Sequence, residues 1–358
     1  MSAEPKLSTY LHSKAIAREI PVSGTFELTS RCNFRCEMCY VHDECHNKEK
    51  LSTEQWLQLA QEAKKAGTLF LLLTGGEPLI RDDFPYLYTE LRKMGFMVSI
   101  NSNGSLLHKH FDLFKKYPPA RINISLYGSD NETYETLCKT GAFSQVIENV
   151  KKLKEIGIAV KFNTVFTNRN SHQYKEIIDI AEVLEVPLST TAYAYPQVRL
   201  DKDYGENGGR MSPLEVAQCT INCEKYRYRN NDFSKRVKKI LEEPDEEKCD
   251  KVSCRAGRAA FWITSEGLMQ PCGLLPGIQI DVFETGFENA WKQLVAEVKK
   301  IRMPQKCVNC RYAKICHACA AMCYTETGHF DHVPEYVCQM SKNLYELAEK
   351  EQGENNAD

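Results

Sequence analysis

Three cysteines, Cys32, Cys36 and Cys39, stand close together in the run Thr29-Ser30-Arg31-Cys32-Asn33-Phe34-Arg35-Cys36-Glu37-Met38-Cys39-Tyr40, with three residues and then two between them. Three thiolates on one short loop hold three corners of a metal cluster. A four-iron cubane bound that way keeps one iron open to a ligand that is not protein, whereas a structural zinc site recruits a fourth Cys or His. His42 and Cys45 are the nearest residues that could complete such a zinc knuckle. A second group of thiols begins at Cys249 and continues through Cys254, Cys272, Cys307, Cys310, Cys316, Cys319, Cys323 and Cys338. Cys307 and Cys310, two residues apart, suit a zinc site equally well, so a pair of four-cysteine zinc sites is the plain alternative there.

The elements that must position these groups follow from the rest of the chain. With 358 residues there is room for a barrel-sized domain and a smaller one, and a hydrophobic fraction of 42% is that of an ordinary globular protein. The net charge of −2 supplies no field for nucleic acid or an anionic membrane. The longest apolar run, Leu69 to Leu73, is too short to cross a bilayer, and the first residues lack the apolar core of a signal peptide. A cytoplasmic location follows as the expectation. In a reducing cytosol sixteen cysteines stay thiols, so metal binding is the default reading.

Short apolar runs alternate with amphipathic helical patterns. Thr25–Thr29 reads as a first strand that delivers the cysteine loop at its C-terminal end. Ser52 with Gln55 forms a capping box for a helix closing at Gly67. Thr68–Thr74 is continuously apolar, the pattern of a strand covered on both faces. Asp82 is the expected cap of a helix ending at Gly95, and Phe96–Asn101 is the next strand. Arg121–Leu126, Ile158–Phe166 and Leu188–Tyr193 repeat the theme, with helices near Phe143–Ile156 and Ser171–Leu184. Six strand-helix units predict a parallel sheet joined by right-handed crossovers, a partial (β/α)6 barrel short of the closed eight. The fold class is therefore α/β, a TIM-like partial barrel over 24–195 after an extension over 1–23. A linker with one or two helices is expected over 196–248, a small cysteine-rich α+β domain over 249–340, and a C-terminal helix and tail over 341–358, frayed from Gly353.

In a parallel barrel the C-terminal ends of the strands carry the site. Gly75-Gly76-Glu77-Pro78 directly follows the second strand; the glycines admit a ligand close to the backbone, and Glu77 can accept from an ammonium. Asn101, Asn103, Ser125 and Asn163 are short polar residues at or near later strand ends, suited to a ribose or a carboxylate or simply to a turn. Cys45, Cys138, Cys219 and Cys223 fall outside these patterns and read as plain thiols.

The cysteine loop and the Gly-Gly-Glu-Pro run together resemble the radical S-adenosylmethionine (SAM) superfamily. That resemblance implies a 4Fe-4S cluster on Cys32, Cys36 and Cys39, and SAM bound by the backbone of Gly75, Gly76, Glu77 and Pro78 with Asn101, Asn103, Ser125 and Asn163 around it. Met38 stands where relatives most often carry an aromatic residue. Many relatives also have an arginine for the SAM carboxylate where this chain reads Leu137-Cys138-Lys139-Thr140-Gly141; Lys139 lacks the guanidinium fork, so the carboxylate partner stays unassigned. The activity implied is reductive cleavage of SAM to a 5'-deoxyadenosyl radical, which abstracts a substrate hydrogen.

Past Tyr195, Cys254 is followed after twelve residues by Gly267 and after four more by Cys272, which resembles the SPASM domain, the C-terminal extension holding two auxiliary 4Fe-4S clusters. Three clusters in all are implied. The first auxiliary cluster takes Cys249, Cys254, Cys272 and Cys319, and the second Cys307, Cys310, Cys316 and Cys338. Nine cysteines compete for eight places. The family's spacing after Cys316 fits neither Cys319 nor Cys323, and Cys319 is the smaller departure. With eight ligands both clusters are saturated, which favours electron relay over substrate ligation. SPASM enzymes largely modify peptides, so the leading substrate is a peptide or protein side chain, with an electron donor such as flavodoxin or ferredoxin. About 24 residues before the first strand leave no room for a fused leader-binding domain, so a separate leader-binding protein is an expected partner. Formylglycine generation on sulfatases and modification of a tetrapyrrole (heme-type) side chain are the alternatives. A non-catalytic iron-sulfur or zinc scaffold has no use for the intact Gly75–Pro78 loop. Neither nucleic acid nor membrane is an expected partner.

Overall fold

A computed structural model describes residues 6–40, 50–196, 209–242 and 249–355. His42 and Cys45 lie outside these residues, and so does the end of the tail beyond Asn355. A helix, α1 (Lys6–Arg18), precedes β1 (Ser23–Glu27). Then come α2 (Thr53–Lys65), β2 (Phe70–Thr74), α3 (Phe84–Lys93), β3 (Met97–Ser102), α4 (Phe111–Lys116) and β4 (Arg121–Ser125). α5 (Asn131–Cys138), α6 (Phe143–Glu155), β5 (Val160–Val165), α7 (Tyr174–Val183) and β6 (Leu188–Thr191) complete six parallel strands, as expected. Two helices, α8 (Pro213–Arg227) and α9 (Arg229–Glu242), follow in the segment expected to link the domains.

The sheet does not end with the barrel. β7 (Ala260–Ile263) lies parallel to β1 on the side opposite β2, and β8 (Leu268–Gln270) and β9 (Ile280–Asp281) continue it antiparallel. The nine-stranded order β6-β5-β4-β3-β2-β1-β7-β8-β9 therefore puts β1, and the cysteine loop after it, inside the sheet. α10 (Val282–Thr285), α11 (Phe287–Lys300), α12 (Ala320–Thr327) and α13 (Glu335–Asn355) finish the chain, the last running past Gly353, where fraying was expected.

Local signals place several boundaries. Ser52 and Gln55 form the reciprocal capping box of α2, and Gly67 follows its end with φ +104°. At α3 the sequence reading of Asp82 is corrected: Asp83 stands at the cap position without capping, because Arg81 and the Thr53 hydroxyl hold its carboxylate.

The expectation that Thr68–Thr74 is covered on both faces is also corrected. Leu71, Leu73, Val98, Ile100, Ile122, Ile124 and Phe162 are buried beneath helices that contribute Trp56, Leu59, Leu87, Leu91, Val146 and Val150. The alternate residues Thr25, Leu72, Ser99, Asn101, Asn123, Ser125, Lys161 and Asn163 are half-buried on the other face. A closed barrel would fill that interior with branched apolar layers; this inner face, Leu72 apart, presents half-buried polar side chains.

Candidate functional site

The cysteine loop leaves β1 and is fastened from below and from the side. Gly76 N–H donates to Thr29 O and Glu77 N–H to Arg31 O, both at 2.8 Å, so the Gly-Gly turn lies flat against the loop. Arg35 N–H and Glu37 N–H donate to Cys138 O (3.1 Å) and Leu137 O (2.9 Å), which ties the loop to the end of α5. The glycines are needed for space. A Cβ on Gly75 would come 2.4 Å from Thr29 O, and one on Gly76 2.3 Å from Arg31 O. Because both obstacles are backbone atoms, Gly76→Ala is expected to displace the Ser30-Arg31 segment and to destabilise the fold by about 1–3 kcal/mol, read as a lower melting temperature. A variant melting with the parent would show that the loop gives way freely.

Glu77 departs from the sequence reading. Its carboxylate is fully buried and accepts from Leu79 N–H (3.1 Å), the Ser102 hydroxyl (3.0 Å) and Asn103 N–H (2.7 Å). It braces the end of β2 against the end of β3 and is closed to an external ammonium. Burial lifts its carboxyl to about 7, against the pull of those donors.

Asn103 reaches the cysteine loop: its amide donates to Asn33 Oδ1 (2.8 Å) and lies 3.8 Å from Cys32 Sγ. Ser125 and Asn163 are register partners on β4 and β5, half-buried on the inner face. Asn101 sits within β3 rather than at its tip, where its Oδ1 accepts from Asn123 (2.8 Å). Lys139 is spoken for. Its ammonium donates to Glu37 and Thr136 O, and Arg169, in the loop after β5, donates to the other oxygen of Glu37 (3.3 Å). Sequence reasoning missed Glu37 and Arg169, since nothing in the spacing joins positions so far apart. It also missed Cys138, whose fully buried thiol hydrogen-bonds with Cys36.

The Cys32 and Cys36 thiols are hard to ionise. Burial, the Glu77 carboxylate and the neighbouring Cys36 and Cys39 push Cys32 up to about 12, opposed by the Phe34 N–H at 3.3 Å. The hydrogen bond that the Cys36 thiol donates to Cys138, and then burial, raise Cys36 well above an ordinary thiol. Thiols of this kind become thiolates together when a cationic centre sits among them, which is what a cluster core provides. The donor set thus fits an iron-sulfur group.

In the C-terminal region one cavity is lined by Cys307, Cys310, Cys316 and Cys338 together with Met303 and Tyr312. Burial and then Cys307 and Cys316 push Cys338 up to about 11. Elsewhere Tyr195, just past β6, has its hydroxyl 3.9 Å from Cys319 Sγ, and its ionisation is opposed by burial, then by Cys319, Cys272 and Cys254. Cys319 therefore shares an environment with Cys254 and Cys272. Cys249 and Cys254 are exposed. Cys323, one helical turn on, is fully buried, and burial followed by Cys307, Cys319 and Cys316 pushes it up to about 12. The described cysteines form no disulfide. A buried ionic network locks this region to the barrel: Arg210 pairs with Glu326, which also accepts from the Tyr193 hydroxyl at 2.5 Å, and the guanidinium lies 3.5 Å from the Tyr336 ring centre.

Residues 26–181 match the model of the Radical SAM superfamily. An AdoMet-dependent heme synthase of Nitratidesulfovibrio vulgaris is 26% identical over 332 residues, covering 87% of this chain and 89% of its own. A probable GTP 3',8-cyclase of Saccharolobus solfataricus is 35% identical over 161 residues, 44% of this chain and 52% of that protein. Among solved structures, Streptococcus suis SuiB bound to its precursor peptide SuiA aligns with TM-score 0.68 at 18% identity, covering 93% of this chain and 80% of that one. AnSMEcpe with bound AdoMet aligns with TM-score 0.73 at 16% identity, covering 94% and 100%. At such identities the structural likeness is one of fold. No helix among the described residues is long and apolar enough to cross a membrane.

Proposed function

We propose that this chain is a radical SAM enzyme, its residues 26–181 matching that superfamily's model, and that it oxidises its substrate by hydrogen-atom abstraction, with two auxiliary clusters carrying the second electron away. The observation that carries the reading is convergence. The three-cysteine loop, the Gly75-Gly76 backbone and the polar ends of β3, β4 and β5 meet at one end of a sheet whose inner face is open, with the second set of thiols alongside β6. Cys32, Cys36 and Cys39 would hold the first 4Fe-4S cluster. The backbone of Gly75–Pro78 would receive SAM, with Asn103, Ser125 and Asn163 about it and Asn101 deeper on the inner face. When bound, that pair supplies a 5'-deoxyadenosyl radical, which departs as 5'-deoxyadenosine with one substrate hydrogen, leaving methionine as the other fragment. The substrate then gives up one electron and one proton to reach product.

The chain's own residues orient these groups. Asn103 and the Phe34 N–H turn toward Cys32 Sγ, and Glu37, clamped by Lys139 and Arg169, fixes the loop between its second and third cysteines. The first auxiliary cluster takes Cys249, Cys254, Cys272 and Cys319, which the shared surroundings of Tyr195 support for the last three. The second takes Cys307, Cys310, Cys316 and Cys338, supported by the cavity that all four line. A hydrogen bond to a ligating sulfur raises a cluster's potential, so Tyr195→Phe is expected to lower the midpoint potential of the first auxiliary cluster in a redox titration followed by EPR. An unchanged potential would remove Tyr195 from its surroundings.

The substrate reading best supported is a carboxylate-bearing tetrapyrrole side chain. The heme synthases align along most of both chains, and the inner face carries polar side chains, Lys161 among them, beside Leu72. A peptide side chain is the second reading, favoured by the peptide on the SuiB fold neighbour; it would bring a leader-binding protein with it. Either needs a low-potential electron donor such as flavodoxin or ferredoxin. Anaerobically reconstituted, reduced protein is expected to convert SAM to 5'-deoxyadenosine and to hold about twelve irons, three clusters of four. Four irons accompanied by two zincs would make the C-terminal region a zinc module instead.

A further inference from the structure

We propose that His329, Asp331 and His332, in the loop between α12 and α13, form a binding site for a divalent transition-metal ion of the zinc type. None of the three belongs to the cysteine sets assigned above, and all three side chains are exposed.

The donors are already gathered. One ligand atom of each residue, an imidazole nitrogen from either histidine and a carboxylate oxygen from Asp331, lies within 4.8 Å of the other two. The imidazole rings stand edge to face, with 4.3 Å between their centres. Among the described residues no hydrogen bond or ion pair occupies any of these three side chains. Zinc binds imidazole nitrogen and carboxylate oxygen at about 2.0–2.2 Å, which sets tetrahedral donors about 3.4 Å apart. Rotation of these exposed side chains closes the set on such an ion. The backbone that carries them is held in place. Gly328, at the end of α12, has φ +76° and turns the chain out of the helix. Thr327 Oγ1 accepts from His329 N–H at 3.1 Å and lies 2.9 Å from His329 O. Phe330 stacks on Tyr324, with 5.0 Å between ring centres. Tyr324 in turn rests on Gly277, where an added Cβ would come 2.5 Å from its ring. With Phe330 held against the protein, His329 and Asp331 on either side of it face solvent, and His332 follows before the buried Pro334. The fold, more than the ion, thus meets the ordering cost of bringing three ligands together.

The donor set restricts the ion. Two imidazoles and one carboxylate suit zinc and its neighbours in the first transition row, whereas calcium and magnesium take oxygen ligands. Three protein ligands leave the fourth tetrahedral position to water, so the ion is exchangeable. The loop joins two helices that each bring one proposed cluster ligand, since Cys319 caps the start of α12 and Cys338 lies in the first turn of α13. An ion bound there fastens the connection between them and stabilises the folded C-terminal region by mass action.

The test uses the reconstituted holoenzyme, its cluster cysteines occupied, with zinc chloride as the probe. Equilibrium dialysis is expected to show about one zinc per chain beyond the cluster irons, with the iron count unchanged. X-ray absorption at the zinc edge should show nitrogen and oxygen at about 2.0–2.2 Å with imidazole scattering behind them, and no sulfur at about 2.3 Å. His329→Ala/His332→Ala is expected to weaken binding at least about tenfold. Zinc should raise the melting temperature of the parent and leave that of the double variant where it was. Iron content and melting temperature without zinc verify the fold of the variant, and His332→Gln alone is expected to weaken binding should the double variant fold poorly. No zinc uptake by the parent, sulfur in place of nitrogen around the zinc, or equal affinity of parent and variants overturns the site.

Discussion

Cys36→Ala is expected to abolish 5'-deoxyadenosine formation from SAM while the auxiliary clusters stay in place. Cys36 is the middle ligand of the proposed set, and the loop around it is held by backbone hydrogen bonds to Leu137 and Cys138 rather than by the thiol itself, so the fold should survive the change. A cubane with two protein ligands has two open corners, and the site that presents SAM to one defined iron is gone. The position of Cys138 adds a control that the sequence alone does not suggest. Its thiol touches Cys36, so it is placed to step into the vacancy. A trace of activity in the single variant should therefore vanish in Cys36→Ala/Cys138→Ala, and Cys138→Ala by itself should cleave SAM normally. The measurement is 5'-deoxyadenosine by mass spectrometry after anaerobic reduction, with iron counted in the same samples. Product formation surviving in the double variant would sink the assignment of the cluster to this loop.

What was legible in the sequence is what local chemistry dictates. The periodic alternation of strands and helices, the Ser52–Gln55 capping box and the cysteine loop all express short-range rules, and the structure has them where the rules put them. What was not legible depends on partners far away in the chain. Glu77 reads as a ligand group because a carboxylate beside two glycines looks available. Ser102 and Asn103, from the next strand, take its oxygens instead. Asp82 reads as a helix cap, but Arg81 and Thr53 settle the matter one residue later at Asp83. The Thr68–Thr74 run reads as covered on both faces because Leu follows Leu. Whether helices cover one face or two is a property of the whole sheet, and here Ser99, Asn101, Asn123, Lys161 and Asn163 show its inner face to be polar. Likewise nothing short-range announces that β7, more than two hundred residues after β1, will pair with it.

Cys319→Ala is expected to lose or open one auxiliary cluster, and Cys323→Ala to keep all three. Spacing alone favours Cys319 only as the smaller departure, since Ala320 occupies the position the family's pattern reserves for the ligand. The packing separates the two thiols. Cys319 is the residue at the N-terminal cap of α12, half-buried, and its Sγ faces Tyr195, which also senses Cys254 and Cys272. Cys323 lies one turn into the helix with no exposed surface, nearer to Cys307 and Cys316 of the other set. A thiol at a helix start can swing into a cluster without moving backbone, whereas one inside α12 would have to unwind the first turn, giving up hydrogen bonds such as Cys323 N–H to Cys319 O at 3.0 Å. Iron should fall from about twelve to about eight per chain, or to an open three-iron form, in Cys319→Ala. In Cys323→Ala the change should be confined to packing, a buried thiol behaving as a small apolar group, with a stability loss of about 1 kcal/mol or less. EPR of the reduced samples tells a missing cluster from an altered one. A Cys323→Ala protein that lacks a cluster, beside a Cys319→Ala protein that keeps three, would transfer the ligand role one turn along α12.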